Sequence, residues 1–542
     1  MNTDNDERVA GPGIRQSMSS LHTWAGLLLG WVLYAMFLTG TVSYFKDELS
    51  QWMRPELPRL SQIPDQAVVA QRVADELGNM AAGTSQWSIR LPDERNNSVY
   101  AFWRTAPRNP GQRGFGEGNF DPATGQRVAS RDTLGGEFFY RFHFQFHYMP
   151  VVWGRWLAGA AAMFMLVAIV SGVITHKKIF VDFFTFRWGK RQRSWLDAHN
   201  SLSVFGLPFH FMITYTGLVT LMALYMPWGE QVAFKTPAER QQLSAELSAF
   251  IQPGKPSGQK MPLASVTDMV RQAQERWGRD NVGRVTSVHP GDAAARVSVA
   301  RGDAGRVSMS PQYMEFDGAT GKLLMVRESV GPAAETRGVL YALHLGRFSD
   351  TEMRWLYFLV SFMGTAMVGT GLVMWTVKRR QKLPDPERPY FGFRLVERLN
   401  IASIAGLSIA MTAFLWANRL LPHLLEGRAD WEVHAFFIVW VLTLLHALVR
   451  PVRSAWVEQL WAAAALLFLL PLLNAFTTQR PLWHSLAEGD RIFAGIDMMC
   501  LALALLHTVL AIRTARQGAI SQSRPKPKRQ ASIAVTSREG AG

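Results

Sequence analysis

Eight runs of mainly apolar residues, each long enough to cross a lipid bilayer, govern what this chain can become. They cover residues 21–45, 153–175, 204–226, 355–377, 399–421, 431–449, 456–476 and 492–512. Inside hydrocarbon no water satisfies the backbone N–H and C=O groups, so runs of this length close their own hydrogen bonds as helices. The fold class that follows is an α-helical integral membrane protein of about eight spans. Composition agrees, with 48% hydrophobic residues, 19 Trp and 32 Phe gathered into these runs. The fifth and seventh runs are the least secure, because Arg419 and Glu458 fall inside them.

Basic residues set the expected orientation, since Lys and Arg near span ends are retained on the cytoplasmic side. Lys177, Lys178, Arg187, Lys190, Arg191 and Arg193 crowd one short loop, and Lys378, Arg379, Arg380 and Lys382 another. With a cytoplasmic N-terminus both loops and the tail bearing Arg524, Lys526, Lys528 and Arg529 lie on one side. The net charge of +15 is thereby a matter of topology, and no compact basic face for nucleic acid remains. The first run is read as an anchor, because Tyr44-Phe45-Lys46-Asp47-Glu48 is no small-residue cleavage site. The single cysteine, Cys500, excludes a disulfide framework, a thiolate metal site and a Cys-x-x-Cys-His haem attachment.

The chain is also a two-copy design. Phe120-Asp121-Pro122-Ala123-Thr124-Gly125 recurs as Phe316-Asp317-Gly318-Ala319-Thr320-Gly321, and each copy precedes a histidine, His147 or His344, and then an apolar run. His22 and His199 open matching runs that reach Thr39-Gly40 and Thr216-Gly217. Each repeat is span, outer module, span, and the division reads as follows: 1–19 a tail, 20–45 span one, 46–150 module one, 151–176 span two, 177–198 a basic loop. The second half then runs 199–226 span three, 227–352 module two, 353–378 span four, 379–395 a basic loop, 396–513 an added four-span bundle, and 514–542 a basic tail expected to be disordered. Each module carries a helix-like stretch, residues 67–80 or 264–277, alternating segments such as 85–91 and 296–300, and the repeated Asp–Gly turn, which together read as a small α+β unit. Gly114-Phe115-Gly116-Glu117-Gly118 reads as a flexible connection, and no nucleotide or flavin fingerprint is present.

Histidines in or beside hydrocarbon require a partner, so they are functional candidates. Two repeats in equal orientation are related by a pseudo-twofold axis along the membrane normal, which brings equivalent residues together at equal depth. His22 would then meet His199 near the inner face and His147 would meet His344 near the outer face. Two pairs at two depths suit two b-type haems held between imidazoles from different helices. His210 lies 11 residues beyond His199, roughly 16 Å deeper along a helix, and His176 closes span two, so the inner pair is any two of His22, His176, His199 and His210. His143, one turn before His147, is a substitute without a counterpart in the second copy. Arg155 and Arg354 follow the outer histidines and suit haem propionates, or lipid headgroups. Thr39-Gly40, Ser171-Gly172, Thr216-Gly217 and Thr370-Gly371 place a small pair in all four repeat spans, for helix packing or close macrocycle approach. Asp197 orients an imidazole or caps its helix, and His434, His446 and His507 serve packing or a quinone site.

Leu21-His22-Thr23-Trp24-Ala25-Gly26-Leu27, Leu196-Asp197-Ala198-His199-Asn200, Leu207-Pro208-Phe209-His210-Phe211-Met212-Ile213-Thr214-Tyr215-Thr216-Gly217 and the two Phe-Asp-x-Ala-Thr-Gly turns together resemble the PepSY-associated transmembrane family. The resemblance covers about residues 18–382, and members similar to this chain include bacterial inner-membrane di-haem siderophore-iron reductases. It implies two PepSY-like periplasmic domains and two b haems. It also implies electron flow from a cytoplasmic reductant or membrane quinol to a periplasmic ferric siderophore or other ferric chelate. Reduction to Fe(II) would weaken hard oxygen ligation and release the metal. The spans after residue 390 depart from the shorter four-span form. The rival expectation is a non-enzymatic membrane protein that binds or inhibits a periplasmic protease or senses an envelope ligand, and a transporter is a third.

Overall fold

A computed structural model describes residues 13–58, 62–93, 95–96, 98–104, 114–176, 192–248 and 254–522. The basic positions Lys177, Lys178, Arg187, Lys190 and Arg191, and the tail after 522, lie outside the described residues. Among the described residues six helices are individually long and apolar enough to cross a membrane, and up to eight spans result if two bent pairs each count as one.

The first repeat begins with α1 (Ile14–Leu28) and α2 (Gly30–Ser43), bent by 65° at Leu29. It continues through α3 (Lys46–Trp52), α4 (Gln66–Met80), β1 (Gln86–Arg90), β2 (Val99–Arg104), β3 (Phe115–Phe120), β4 (Arg127–Val128), α5 (Glu137–Gln145) and α6 (Val151–Thr175). The second begins with α7 (Gln192–Phe205) and α8 (Leu207–Thr220), bent by 68° at Gly206. It continues through α9 (Val266–Trp277), β5 (Val282–Val288), β6 (Arg296–Arg301), β7 (Tyr313–Asp317), β8 (Leu323–Arg327), α10 (Pro332–Leu345) and α11 (Thr351–Arg380). Both expected single spans are thus broken at equivalent points. In the second, Pro208 lacks an N–H and disfavours helical geometry before it, which accounts for the break at the Gly206-Leu207 step. In the first, the Leu372 side chain lies where a Cβ on Gly30 would stand, so α11 packs into the bend.

The two modules are joined. Among the described residues eight strands form one antiparallel sheet in the order β4-β3-β2-β1-β5-β6-β7-β8, with β1 and β5 paired at the seam. Ser88 and Thr286 face each other across it, their hydroxyls 2.9 Å apart. Helices α4 and α9 pack on each other and on the sheet over a single core containing Val73, Leu77, Ile89, Met269, Val285 and Phe316. The repeated motif makes the two strand reversals as expected. Asp121 accepts from Ala123 N, Asp317 accepts from Ala319 and Thr320 N, and Gly125 and Gly321 both take φ of +75°. The glycine-rich stretch expected to be a flexible connection is β3 instead, paired with β2. Its glycines leave room for bulky neighbours, since a Cβ on Gly116 would strike the Trp103 indole and one on Gly118 the Arg127 side chain.

The added bundle comprises α12 (Phe391–Leu420), α13 (Arg428–Val449), α14 (Val452–Thr477) and α15 (Arg491–Gln522). Both doubtful runs are intact helices because their charges are partnered. Arg419 donates to Asn474 (3.1 Å) and to the Trp52 carbonyl (2.6 Å), and its guanidinium lies 3.7 Å over the Trp52 ring. Glu458 accepts from Arg450 Nε at 3.0 Å and lies 2.8 Å from His446 Nε2. A second buried knot joins Arg428, Glu432, Asn418 and Thr133, tying this bundle to the chain just before α5.

Candidate functional site: two imidazole pairs

The repeat helices pack in a twofold pattern. α1 lies on α6 as α7 lies on α11, α2 on α5 as α8 on α10, and α2 on α11 as α8 on α6. Four histidines on α1, α7, α5 and α10 thereby meet in two pairs. His22 and His199 have ring centroids 6.2 Å apart at an interplanar angle of 69°, and His143 and His344 have the same spacing at 30°.

All four rings are held in one way. His22 Nδ1 lies 2.8 Å from the Ala168 carbonyl, His199 Nδ1 2.9 Å from Met367, His143 Nδ1 2.6 Å from Met36 and His344 Nδ1 3.0 Å from Ile213. A carbonyl only accepts, so each Nδ1 carries the hydrogen and each Nε2 keeps its lone pair. Three residues beyond each carbonyl stands a hydroxyl that also bonds it. Ser171 reaches Ala168 (3.2 Å), Thr370 reaches Met367 (2.9 Å), Thr39 reaches Met36 (3.4 Å) and Thr216 reaches Ile213 (3.4 Å). One residue further comes a glycine against the ring. A Cβ on Gly172 or Gly371 would come within 3.2 or 3.3 Å of His22 or His199, and one on Gly40 or Gly217 within 2.7 or 2.9 Å of His143 or His344. The four small pairs visible in the sequence are therefore the backs of four imidazole seats.

Two expectations need correction. His147 does not face His344; it stacks on Phe437 at 5.6 Å, with the Tyr148 and Phe138 rings also against it. The helix α5 ends at Gln145, and Phe146 and Tyr148 both take φ of 55°, so the chain turns His147 away while His143 stays on the helix. In the second copy α10 runs to Leu345 before Gly346 ends it in the left-handed region, which keeps His344 helical. Counting from the Asp–Gly turn paired residues four positions out of step. The signal that finds His143 is the tally of small pairs, four of which call for four histidines.

The inner pair is likewise narrowed. His210 is buried, but its Nε2 lies 3.3 Å from the Val360 carbonyl and its ring stands edge-on to Phe37, with no second imidazole opposite. His176 Nε2 lies 2.9 Å from the Asn200 amide nitrogen, at the end of α6. The ring pair on this side is His22 with His199. Asp197 is buried on α7.

The arginines expected beside the outer pair are engaged elsewhere. Arg155 donates to Gln145 at 3.2 Å, and Arg354 pairs with Glu48. The cavity around His143 and His344 is bounded by Lys46, Arg95 and Arg347. Lys46 bonds Glu137 (3.0 Å) and Arg347 bonds Asp303 (3.3 Å). Burial would raise the Asp47 carboxyl, but Arg90, Lys46 and Arg95 outweigh it and hold it well below the usual carboxylate range. For Glu48 burial prevails over Arg95 and Arg354, and its carboxyl is raised. Among the described residues no three His, Cys, Asp or Glu side chains converge as a metal cluster.

A family model described as PepSY-associated TM region matches residues 19–378. The chain belongs to the PepSY-associated transmembrane family. That match spans both repeats and stops at the end of α11, so the PepSY-associated region of this multi-pass membrane protein contains all four seated histidines, while the added bundle lies outside it. No curated protein matches the chain.

Proposed function

We propose that this PepSY-associated protein is a b-type haem oxidoreductase of the bacterial inner membrane. In this reading it reduces a periplasmic ferric siderophore or similar ferric chelate with electrons from a cytoplasmic reductant or membrane quinol. The observation that carries the reading is the twin imidazole pairing. With a metal–nitrogen bond of about 2 Å on each side, and each ring nitrogen about 1.1 Å from its centroid, two imidazoles on one metal have centroids roughly 6 Å apart. Both pairs have this spacing. Two ligands suffice for a haem iron, whose other positions belong to the porphyrin, so a cluster of three or more donors is not required. His22 with His199, and His143 with His344, would hold one haem each, and haem when bound supplies one-electron redox chemistry.

The protein's own contribution is positional. Each Nδ1–H···O=C bond fixes the tautomer and ring orientation and raises the basicity of Nε2. The four glycines admit the rings against the helix backbones. Lys46, Arg95 and Arg347 offer cations at the edge of the outer cavity, suited to carboxylates. The sheet side of the molecule would face the periplasm, with the basic loops opposite.

The test is haem content of the full chain purified in mild detergent. Two b haems per chain are expected by pyridine haemochrome assay, falling to one in His143→Ala or His344→Ala and staying at two in His147→Ala. A colourless preparation, or loss of haem on replacing His147 but not His143, refutes the reading.

A further inference from the structure

Between the repeats and the added bundle runs a chamber of about 2270 Å³ that begins under the sheet and continues among the spans, where α2, α11, α12, α14 and α15 wall it. Its charged lining is confined to the sheet side. Among the described residues, the stretches 365–377, 404–415, 456–467 and 495–514 line it without one Asp, Glu, Lys or Arg. This part is an apolar crevice, to which Cys500, Leu503, His507, Leu510 and Thr514 turn one face of α15.

The serine and threonine hydroxyls along the crevice bond their own helices. Thr365 donates to the Ser361 carbonyl (3.2 Å), Thr370 to Met367 (2.9 Å), Ser408 to Ile404 (3.4 Å), Thr412 to Ser408 (2.8 Å) and Thr514 to Leu510 (2.8 Å). Two side chains that are more than nine-tenths buried keep a free polar atom. They are Tyr34, 7% exposed, and His507, 9% exposed, and both line the crevice. His507 Nδ1 lies 2.8 Å from the Leu503 carbonyl, which only accepts, so this nitrogen carries the hydrogen. Its Nε2 keeps a lone pair without a hydrogen-bond partner among the described residues. The Tyr34 hydroxyl likewise bonds nothing among them, and its ring lies 3.1 Å from where a Cβ on Gly369 would stand. An acceptor and a hydroxyl left unpaired in hydrocarbon cost free energy that the protein itself does not return, which makes the crevice a site for a ligand.

That ligand must be apolar along most of its length, uncharged, and furnished with small oxygens that can donate to an imidazole and pair with a phenol. A lipid-soluble hydroquinone has this chemistry. A phospholipid has not, since its acyl chains carry no donor and its charged headgroup finds no counter-charge in the crevice. The place also suits an electron donor. Thr370, which lines the crevice, has its hydroxyl 3.5 Å from His199 Nδ1, so the crevice runs along the back of an inner imidazole seat. Thr370 and His507 stand roughly 28 and 24 Å along α11 and α15 from the sheet-side ends of those helices, at similar depth.

We propose that this crevice binds a membrane quinol, one ring hydroxyl donating to His507 Nε2 and the other oxygen pairing with Tyr34. The inference rests on the reading of the protein as a haem oxidoreductase and deepens it, naming the quinol as donor. Oxidation of one quinol to quinone breaks two O–H bonds. Its two electrons reduce two ferric ions, and its two protons leave in turn by way of His507 Nε2 to water.

The test is equilibrium binding of tritiated decylubiquinol to the full chain in lipid nanodiscs, anaerobically with dithionite, so that nothing turns over. One saturable site above empty discs is expected, about tenfold weaker in His507→Leu and in Tyr34→Phe, and unchanged in His446→Gln, which lies outside the crevice. The dimethyl ether of decylubiquinol, which has no O–H to donate, should displace the label about tenfold less well than decylubiquinol itself. Because both polar atoms are unpaired within the protein, neither substitution should lower the unfolding temperature, as damage to the fold would. No saturable site, affinity indifferent to both substitutions, dependence on His446 instead, or equal displacement by the ether overturns the proposal. So does a tightly held phospholipid that the substitutions release, which would make the crevice a lipid site. Two haems with no quinol site would refute this inference alone, whereas quinol binding by a colourless chain would refute the oxidoreductase reading and leave the site standing.

Discussion

Gly40→Ala should remove the outer haem and leave the inner one. The added methyl would stand 2.7 Å from His143 Nδ1, against ordinary contact beyond 3.4 Å, so the ring or helix α2 must move by most of an ångström. The ring cannot move that far and keep its 2.6 Å contact with the Met36 carbonyl, which lies on the same helix as the new methyl. Loss of that bond costs about 0.5–1.5 kcal/mol and overpacking about 1–3 kcal/mol, whereas alanine in the helix returns only about 1 kcal/mol. A net loss of about 2 kcal/mol at the ligand corresponds to roughly 30-fold weaker binding of the outer haem. The control is built into the fold, because Gly371→Ala brings a methyl only to 3.3 Å from His199 Cε1, a few tenths of an ångström too close. The assay is haem per chain and the reduced-minus-oxidised spectrum of both variants. If Gly40→Ala keeps two haems with parental spectra, or Gly371→Ala does the greater damage, the seat geometry has been misread.

Thr216→Val removes a hydroxyl that bonds the Ile213 carbonyl (3.4 Å) and lies 3.2 Å from His344 Nδ1, and should shift the outer midpoint potential while leaving haem stoichiometry at two, as read by redox titration. Arg428→Met strands the buried Glu432 carboxylate and should cost about 3–5 kcal/mol, seen as a lower unfolding temperature in detergent; adding Glu432→Leu should restore most of it, and a double variant no better than the single would refute this. Asp47, with its folded pKa depressed, contributes stability above its unfolded value near 3.9, lost as pH falls below that toward the folded value. Asp47→Asn should therefore lower the unfolding temperature at neutral pH, with the gap to the parent closing on acidification below pH 4; a pH-independent gap would contradict the assignment.

The apolar runs, the module elements and the Asp–Gly turns were legible because each is a local signal: hydrocarbon length, strand alternation, a side chain folding onto its own backbone. What escaped was non-local. Nothing in the strand composition near Gln86 or Val288 says that one module's edge will accept the other's, since that choice depends on how the spans bring the modules together. The bends at Leu29 and Gly206 sit inside apolar runs whose length alone reads as one straight helix, and only Pro208 marks either. The placement of His143 failed for a subtler reason: the repeats diverge by five residues in the length of the helix after the sheet, so equal counting gave unequal geometry. The carbonyl, hydroxyl and glycine of each seat lie within five consecutive residues, and that grouping was the more reliable guide.

The seam between β1 and β5 bears on ancestry as well as shape. Its antiparallel pairing, Gln86 opposite Val288 and Arg90 opposite Arg284, relates the modules as two identical subunits are related across a dyad. A single-module forebear would have displayed β1 as a naked border, open to pairing with any passing strand. Tandem duplication makes the second subunit covalent, so a contact that once depended on concentration becomes intramolecular, and each half is then free to drift, as the five-residue divergence before His344 shows.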